Sequence, residues 1–101
     1  MKYHIIIADD VHSELELLVE WMETQREGYG RLFVKEYQSA LKLIEQFPFS
    51  HQCKSKLYRI IPIARFNYVL AYRISPQSIM VVRLLHARSD FDEIFMKKAG
   101  Y

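Results

Sequence analysis

One cysteine, three glycines and three prolines are spread over 101 residues, and each scarcity removes a class of answer. A lone Cys53 cannot close an internal disulfide and has no Cys or His neighbours at zinc-ligand spacing, which excludes disulfide-stapled scaffolds and zinc modules. It reads as a half-buried small residue in a loop, in a reducing compartment such as the cytoplasm. So few glycines leave no phosphate-cradling loop and no nucleophile elbow, and no metal or cofactor is expected. Apolar runs such as Ile5 to Ala8 and Val69 to Tyr72 fall far short of the ~18–20 residues of a membrane span, and no signal peptide is expected. Internal repeats and low-complexity tracts are missing too. Residues 1–101, half of them hydrophobic and 26% charged, are expected to form one domain around one core.

Acidic residues are scarce in one half only. Residues 1–50 carry 5 Lys+Arg against 9 Asp+Glu, whereas residues 51–101 carry 9 against 3, which the net charge of +2 conceals. From His51 to Arg88 there are seven cations and no acid: Lys54, Lys56, Arg59, Arg65, Arg73, Arg83 and Arg88. A positive field of that extent favours an anionic partner, nucleic acid or an acidic protein segment.

What is present sorts into elements by periodicity. Tyr3 to Ile7 is a β-branched run, and Asp9 and Asp10 follow where a helix N-cap is wanted. Val11, Leu15, Leu18 and Met22 draw one stripe along a first helix, leaving Glu14, Glu16, Glu20 and Glu23 as a solvated face. Gly28-Tyr29-Gly30 breaks the pattern. Phe33, Tyr37, Ala40, Ile44 and Phe47 then resume it until Pro48, so two helices form an antiparallel hairpin. Trp21 and Tyr29 near its tip read as core by their spacing, with exposed anchors for a partner as the alternative. Residues 48–56 read as a loop. Strands are expected at about 57–63, 67–74 and 79–86, with a tight turn near Arg65-Phe66 and a second at Ser75 to Ser78. Pro62 cannot donate to a ladder, so it marks a sheet edge or a bulge. The predicted fold is α+β, ordered β-α-α-β-β-β, a helical hairpin packed on a small, mainly antiparallel sheet.

Three segments carry a family resemblance. Tyr58 to Ile63 followed by Arg65 to Ile74 resembles an Arg-bearing strand ending near a Pro and leading into an aromatic strand of the form Y-V-x-x-Y-R-I/V. Ile79 to Asp90 resembles a last strand with an H-x-R-x-D ending, and Phe33 to Pro48 fits the second helix. In this order the segments resemble the RelE/ParE toxin superfamily of type II toxin–antitoxin (plasmid stabilisation) systems, nearer its ParE branch. The resemblance implies a toxin neutralised by a cognate antitoxin in a hetero-oligomer, acting on DNA gyrase if ParE-like or on messenger RNA at the ribosome if RelE-like. RelE-type mRNA interferases resemble one another in an Arg on the middle strand, an Arg after the last strand and a Tyr near the C-terminus. Arg88 fits the second. The first falls near Asn67 and Tyr68, and the third near Ile94 or Phe95.

The leading expectation is therefore a gyrase inhibitor that acts by binding, with the seven cations as its target or antitoxin surface. Arg59, Arg73 and Arg83 lie on successive strands, where with Arg65 and Arg88 they could converge on one phosphate or carboxylate surface. The alternative is a ribosome-dependent endoribonuclease using His86, Arg88 and Arg65, with Lys54 or Tyr101 in support. Under that alternative the near-neutral imidazole of His86 would move the proton. Otherwise His86 is a strand-end residue hydrogen-bonded to Asp90 or to a backbone carbonyl. A third possibility is a family member kept only for binding its antitoxin or DNA.

Overall fold

The computed structural model describes residues 3–55 and 57–90. A first strand β1 (His4–Ile7) leads into helices α1 (Asp9–Gln25) and α2 (Tyr29–Gln46), then strands β2 (Gln52–Cys53), β3 (Arg59–Ile63), β4 (Tyr68–Ile74) and β5 (Ser78–His86). The sheet runs β1-β5-β4-β3-β2, with β1 parallel to β5 and every other pair antiparallel. The α+β hairpin-on-sheet reading holds. One element was missed: the stretch read as a loop contains β2, which holds Gln52 and Cys53 against Ile60 and Arg59. Two polar-flanked residues carry no period-2 signal, so only their partner reveals them. None of the described helices is long and apolar enough to cross a membrane.

The hairpin buries one stripe from each helix. Val11 and Met22 of α1 and Phe33, Tyr37, Ala40 and Ile44 of α2 meet Ile61, Ile63, Leu70, Tyr72, Ile79, Val81 and Leu84 of the sheet. The expected stripes are the observed ones except at Phe47, which follows the last turn of α2 and is exposed, with Leu15 and Leu18 packed at the margin. Asp9 and Asp10 occupy the first turn of α1, and the cap position falls to Ala8 with no side-chain hydrogen bond. The extended backbone of Ala8 donates to the Val81 carbonyl just past the end of β1, and the carboxylates act on the helix through charge.

The hairpin turn is closed by a glutamate of the supposedly solvated face. Glu23 accepts hydrogen bonds from the Gly28 and Gly30 amides, each at 2.9 Å, supplying α2 with the cap that Gly28 lacks. Gly28 sits at φ 85°, a left-handed conformation that favours glycine. Those amide hydrogen bonds, Gly28 first, hold the Glu23 carboxyl below its ordinary value of 4.5, with Arg31 adding a smaller pull and burial opposing slightly. Because the folded value is the depressed one, the stabilisation is fully present above pH 4.5 and fades as the pH falls through the folded value. Thermal melts of Glu23→Gln should therefore show a shallower loss of stability below that pH than the parent does. Parallel profiles would assign no role to this cap.

The sheet's second face carries its own buried cluster of Tyr58, Ile60, Val69, Ala71 and Leu85, with Val82 against it. Val82 is an extra residue on β5: Tyr72 pairs with Val81 and Ala71 with Arg83, so the register shifts between them. Pro62 is exposed on β3 beyond Ile60, where β2 has ended. Of its two expected readings, sheet edge is the correct one, and the bulge lies elsewhere.

Candidate functional site

The described cations of the second half do not all converge on one surface. β4 and β5 run antiparallel with Tyr68 opposite His86, which puts the β3–β4 turn, His86 and Arg88 at one end of the sheet. Arg59 and Arg73 lie toward the other end, and Arg83 is drawn away to the helices. Its Nε donates to Glu14 Oε2 at 2.7 Å, while Glu14 Oε1 accepts from the Leu84 amide at 2.9 Å. That amide is available because the β1 ladder stops at Ile7 and Val81. Glu14 thus closes a bare stretch of the β5 edge and neutralises Arg83 in one arrangement. Arg83 therefore does not join Arg59 and Arg73, because strand neighbours in sequence order need not share a partner.

At the first end, Arg65 occupies the turn at φ 73°, its side chain 71% exposed and 3.6 Å from Glu36 of α2. Such an exposed pair is worth little. The Ala87 amide donates to the Asn67 carbonyl at 2.9 Å and ties the segment after β5 to the same turn. His86 is exposed, and its ring meets Tyr68 edge-on at 5.2 Å. Its Nδ1 accepts the Arg88 backbone N–H at 3.0 Å. An accepting Nδ1 assigns the proton of the neutral ring to Nε2, which makes the remaining nitrogen a donor. The strand-end reading of His86 is close, with a backbone amide as the partner in place of Asp90 or a carbonyl. The Arg88 side chain is exposed beside it. Tyr68 and Asn67 occupy the strand start where RelE-type enzymes have arginine. Lys56, Ile94, Phe95 and Tyr101 lie outside the described residues.

At the second end, Arg59 and Arg73 line a cleft of about 420 Å³ with Phe49, Cys53, Leu57 and Tyr58. Arg59 is partly committed to structure: its Nη1 donates to the Phe49 and His51 carbonyls at 3.1 and 2.8 Å, and its guanidinium lies 5.6 Å from the centre of the Phe49 ring. The Lys54 backbone amide donates to the Tyr58 carbonyl, bringing this cation to the same loop. Beneath the loop the Tyr72 hydroxyl donates to the Pro48 carbonyl at 2.6 Å. Burial pushes the Tyr72 hydroxyl up to about 12 against the opposing pull of Arg59, so it stays a donor. Arg73 is exposed. Sequence reasoning missed Phe49 and Leu57, 60% and 59% exposed. Their signal was available, as apolar residues placed beyond the helix-stopping Pro48.

Three smaller expectations also change. Trp21 is 52% exposed and so is not core, while Tyr29 is half-buried against Phe66 at 5.4 Å. Cys53 is exposed and sits on a strand. Glu16 and Glu20 are solvated as expected, whereas Glu14 and Glu23 are structural. Among the described residues no group of three His, Cys, Asp or Glu side chains is placed to hold a metal.

This architecture has a known owner. The family model for the ParE toxin of the type II toxin–antitoxin system parDE matches residues 5–91. The chain belongs to the ParE toxin family. A chain of the chromosomal ParDE toxin–antitoxin system from P. aeruginosa superposes with a TM-score of 0.72, covering 83% of this chain and 95% of that one at 11% identity. That likeness shows a shared fold. No curated protein matches by sequence. The ParE branch of the resemblance is therefore the correct one, and this ParE-family toxin carries its exposed cations at both ends of its sheet.

Proposed function

We propose that this ParE-family chain acts in the cytoplasm as a poison of bacterial DNA gyrase, by binding and without a hydrolytic step, and that a cognate antitoxin with an acidic, apolar segment holds it inactive. The observation that carries the reading is the state of His86. A ribonuclease of the 2′-oxygen-attack type needs a base for the hydroxyl, charge stabilisation for the phosphorane and an acid for the leaving oxygen. With Nδ1 taken by the Arg88 amide, His86 keeps a single ring nitrogen, enough for a base or for an acid but not for both in one step. Around it stand Tyr68 and two exposed guanidiniums, Arg65 and Arg88, a surface that fits carboxylates or phosphates. Arg59, Arg73 and Lys54 supply a second such surface at the far end. The antitoxin's acidic segment would answer either surface by charge, and the aromatic and aliphatic residues beside them by burial.

Induced alone, the protein should arrest growth, and co-expression of the adjacent antitoxin gene should restore it. Purified gyrase should lose supercoiling activity in its presence while ribosome-bound transcripts stay intact. Substituting His86 or Arg88 by Ala should weaken inhibition in a graded way, about tenfold or less, because a lost contact removes less than the roughly 10²- to 10⁴-fold carried by an acid–base group. Codon-positioned cuts that vanish in His86→Ala would replace this reading with the mRNA interferase. Normal growth with soluble protein present would leave a chain that only binds.

A further inference from the structure

Among the described residues, three of the sheet's edges are defended. β2 is only two residues long, β3 carries Pro62 where its own edge opens, and the exposed stretch of β5 is closed by Glu14 on the Leu84 amide. The outer edge of β1 has none of these devices. His4 donates to the Gln77 carbonyl and Ala8 to the Val81 carbonyl, so the even-numbered residues face β5. In a parallel ladder the N–H and C=O of one residue point the same way, which turns those of Ile5 and Ile7 to the open side. Along this edge runs a cleft of about 580 Å³ between β1 and α2, with Ile5, Ile7 and Leu41 as its apolar wall and Lys35, Lys42 and Glu45 among its polar lining. Ile6, on the face away from the helices, is 40% exposed.

We propose that this edge pairs with the same edge of a second copy of the chain, as two antiparallel β1 strands across a two-fold axis at Ile6. The symmetry fits the residues. A two-fold at Ile6 sets Ile5 opposite the partner's Ile7, so the outward amides and carbonyls of each satisfy the other. Ile6 meets the partner's Ile6 as a closely spaced, non-hydrogen-bonded pair that covers the exposed side chain. The same axis reverses α2 against its mate and brings Lys35 toward the partner's Glu45. An acidic arm from another protein would meet two lysines but also the like charge of Glu45, so the mixed lining favours a self-complementary occupant.

Sedimentation of the purified chain over a range of concentrations, with hydrogen exchange at the β1 amides, tests the proposal. The expected result is a reversible dimer in which the Ile5 and Ile7 amides become protected as concentration rises. Ile6→Lys should be monomeric at every concentration, with the melting temperature that the parent shows when dilute. Lys35→Glu and Glu45→Lys should each weaken association by about tenfold, and the double swap should restore it; that pair decides the matter if Ile6→Lys fails to fold. A chain that stays monomeric at every concentration overturns the proposal. So does a dimer whose Ile5 and Ile7 amides exchange freely, or protection that comes only on adding the antitoxin, which would hand the edge to a different occupant. Growth arrest and gyrase inhibition are read separately, so neither depends on this result.

Discussion

Phe33→Ala is expected to cost the fold about 3–5 kcal/mol and to loosen the end of the sheet that carries His86. The ring is fully buried, with Phe66 edge-on at 4.8 Å and Tyr68 edge-on at 5.7 Å. Tyr68 in turn backs His86. Truncation removes apolar contact, opens a cavity that its two aromatic neighbours cannot easily refill, and frees those rings, which set the turn. Since a domain of this size has only about 5–15 kcal/mol of net stability, urea denaturation should show a large drop in midpoint with little change in slope. Leu43→Ala, at a side chain 44% exposed on the same helix, should cost about 1 kcal/mol or less and serves as the control. Equal losses at the two positions would mean that α2 is not held by its aromatic face.

Gly30→Ala should destabilise by about 1–3 kcal/mol, although alanine is the better helix former by nearly 1 kcal/mol. A Cβ at Gly30 would lie 2.8 Å from the Val19 carbonyl oxygen and 3.0 Å from Glu23 Oε1. The first atom is backbone and cannot swing aside, so α1 and α2 must separate. The second is the carboxylate that caps α2, so the same methyl disturbs the hairpin's closure. Gly28→Ala makes a useful contrast. It meets nothing within 4 Å, and its penalty comes only from the left-handed backbone at φ +85°, about 1 kcal/mol. Calorimetry on the two variants separates close approach from backbone strain. A Gly30→Ala protein more stable than the parent would show that the helices have room to part.

Periodicity is a local signal, and what could be read in the chain follows from that. The stripes of α1 and α2 were legible because each apolar residue points at the same sheet, and β3, β4 and β5 were legible to within two residues. Pro62 was readable as an edge because a missing amide proton has the same meaning in any sheet. Glu14 and Glu23 looked alike in sequence, two acids off the apolar stripe of one helix, yet one closes a strand edge from 70 residues away and the other caps the next helix. Neither role has a local signature. The site suffered similarly: the cations were visible as a set, but the extra residue at Val82 and the reach of Glu14 decided that Arg83 would leave it. Exposed Trp21 shows the same limit from the other side, since spacing along a helix tells which residues share a face but not how wide the covered strip is.

The parallel pairing of β1 with β5 ties the beginning of the chain to a strand roughly 70 residues downstream. During synthesis, β1 and the hairpin emerge first and have no sheet to close on, because β5 is the strand that touches both β1 and β4. A chain interrupted before Ser78 therefore lacks the element that joins its two parts, and it also lacks His86 and Arg88. The order of assembly acts as a delay: the sheet that positions His86 and Arg88 closes only once β5 has been made.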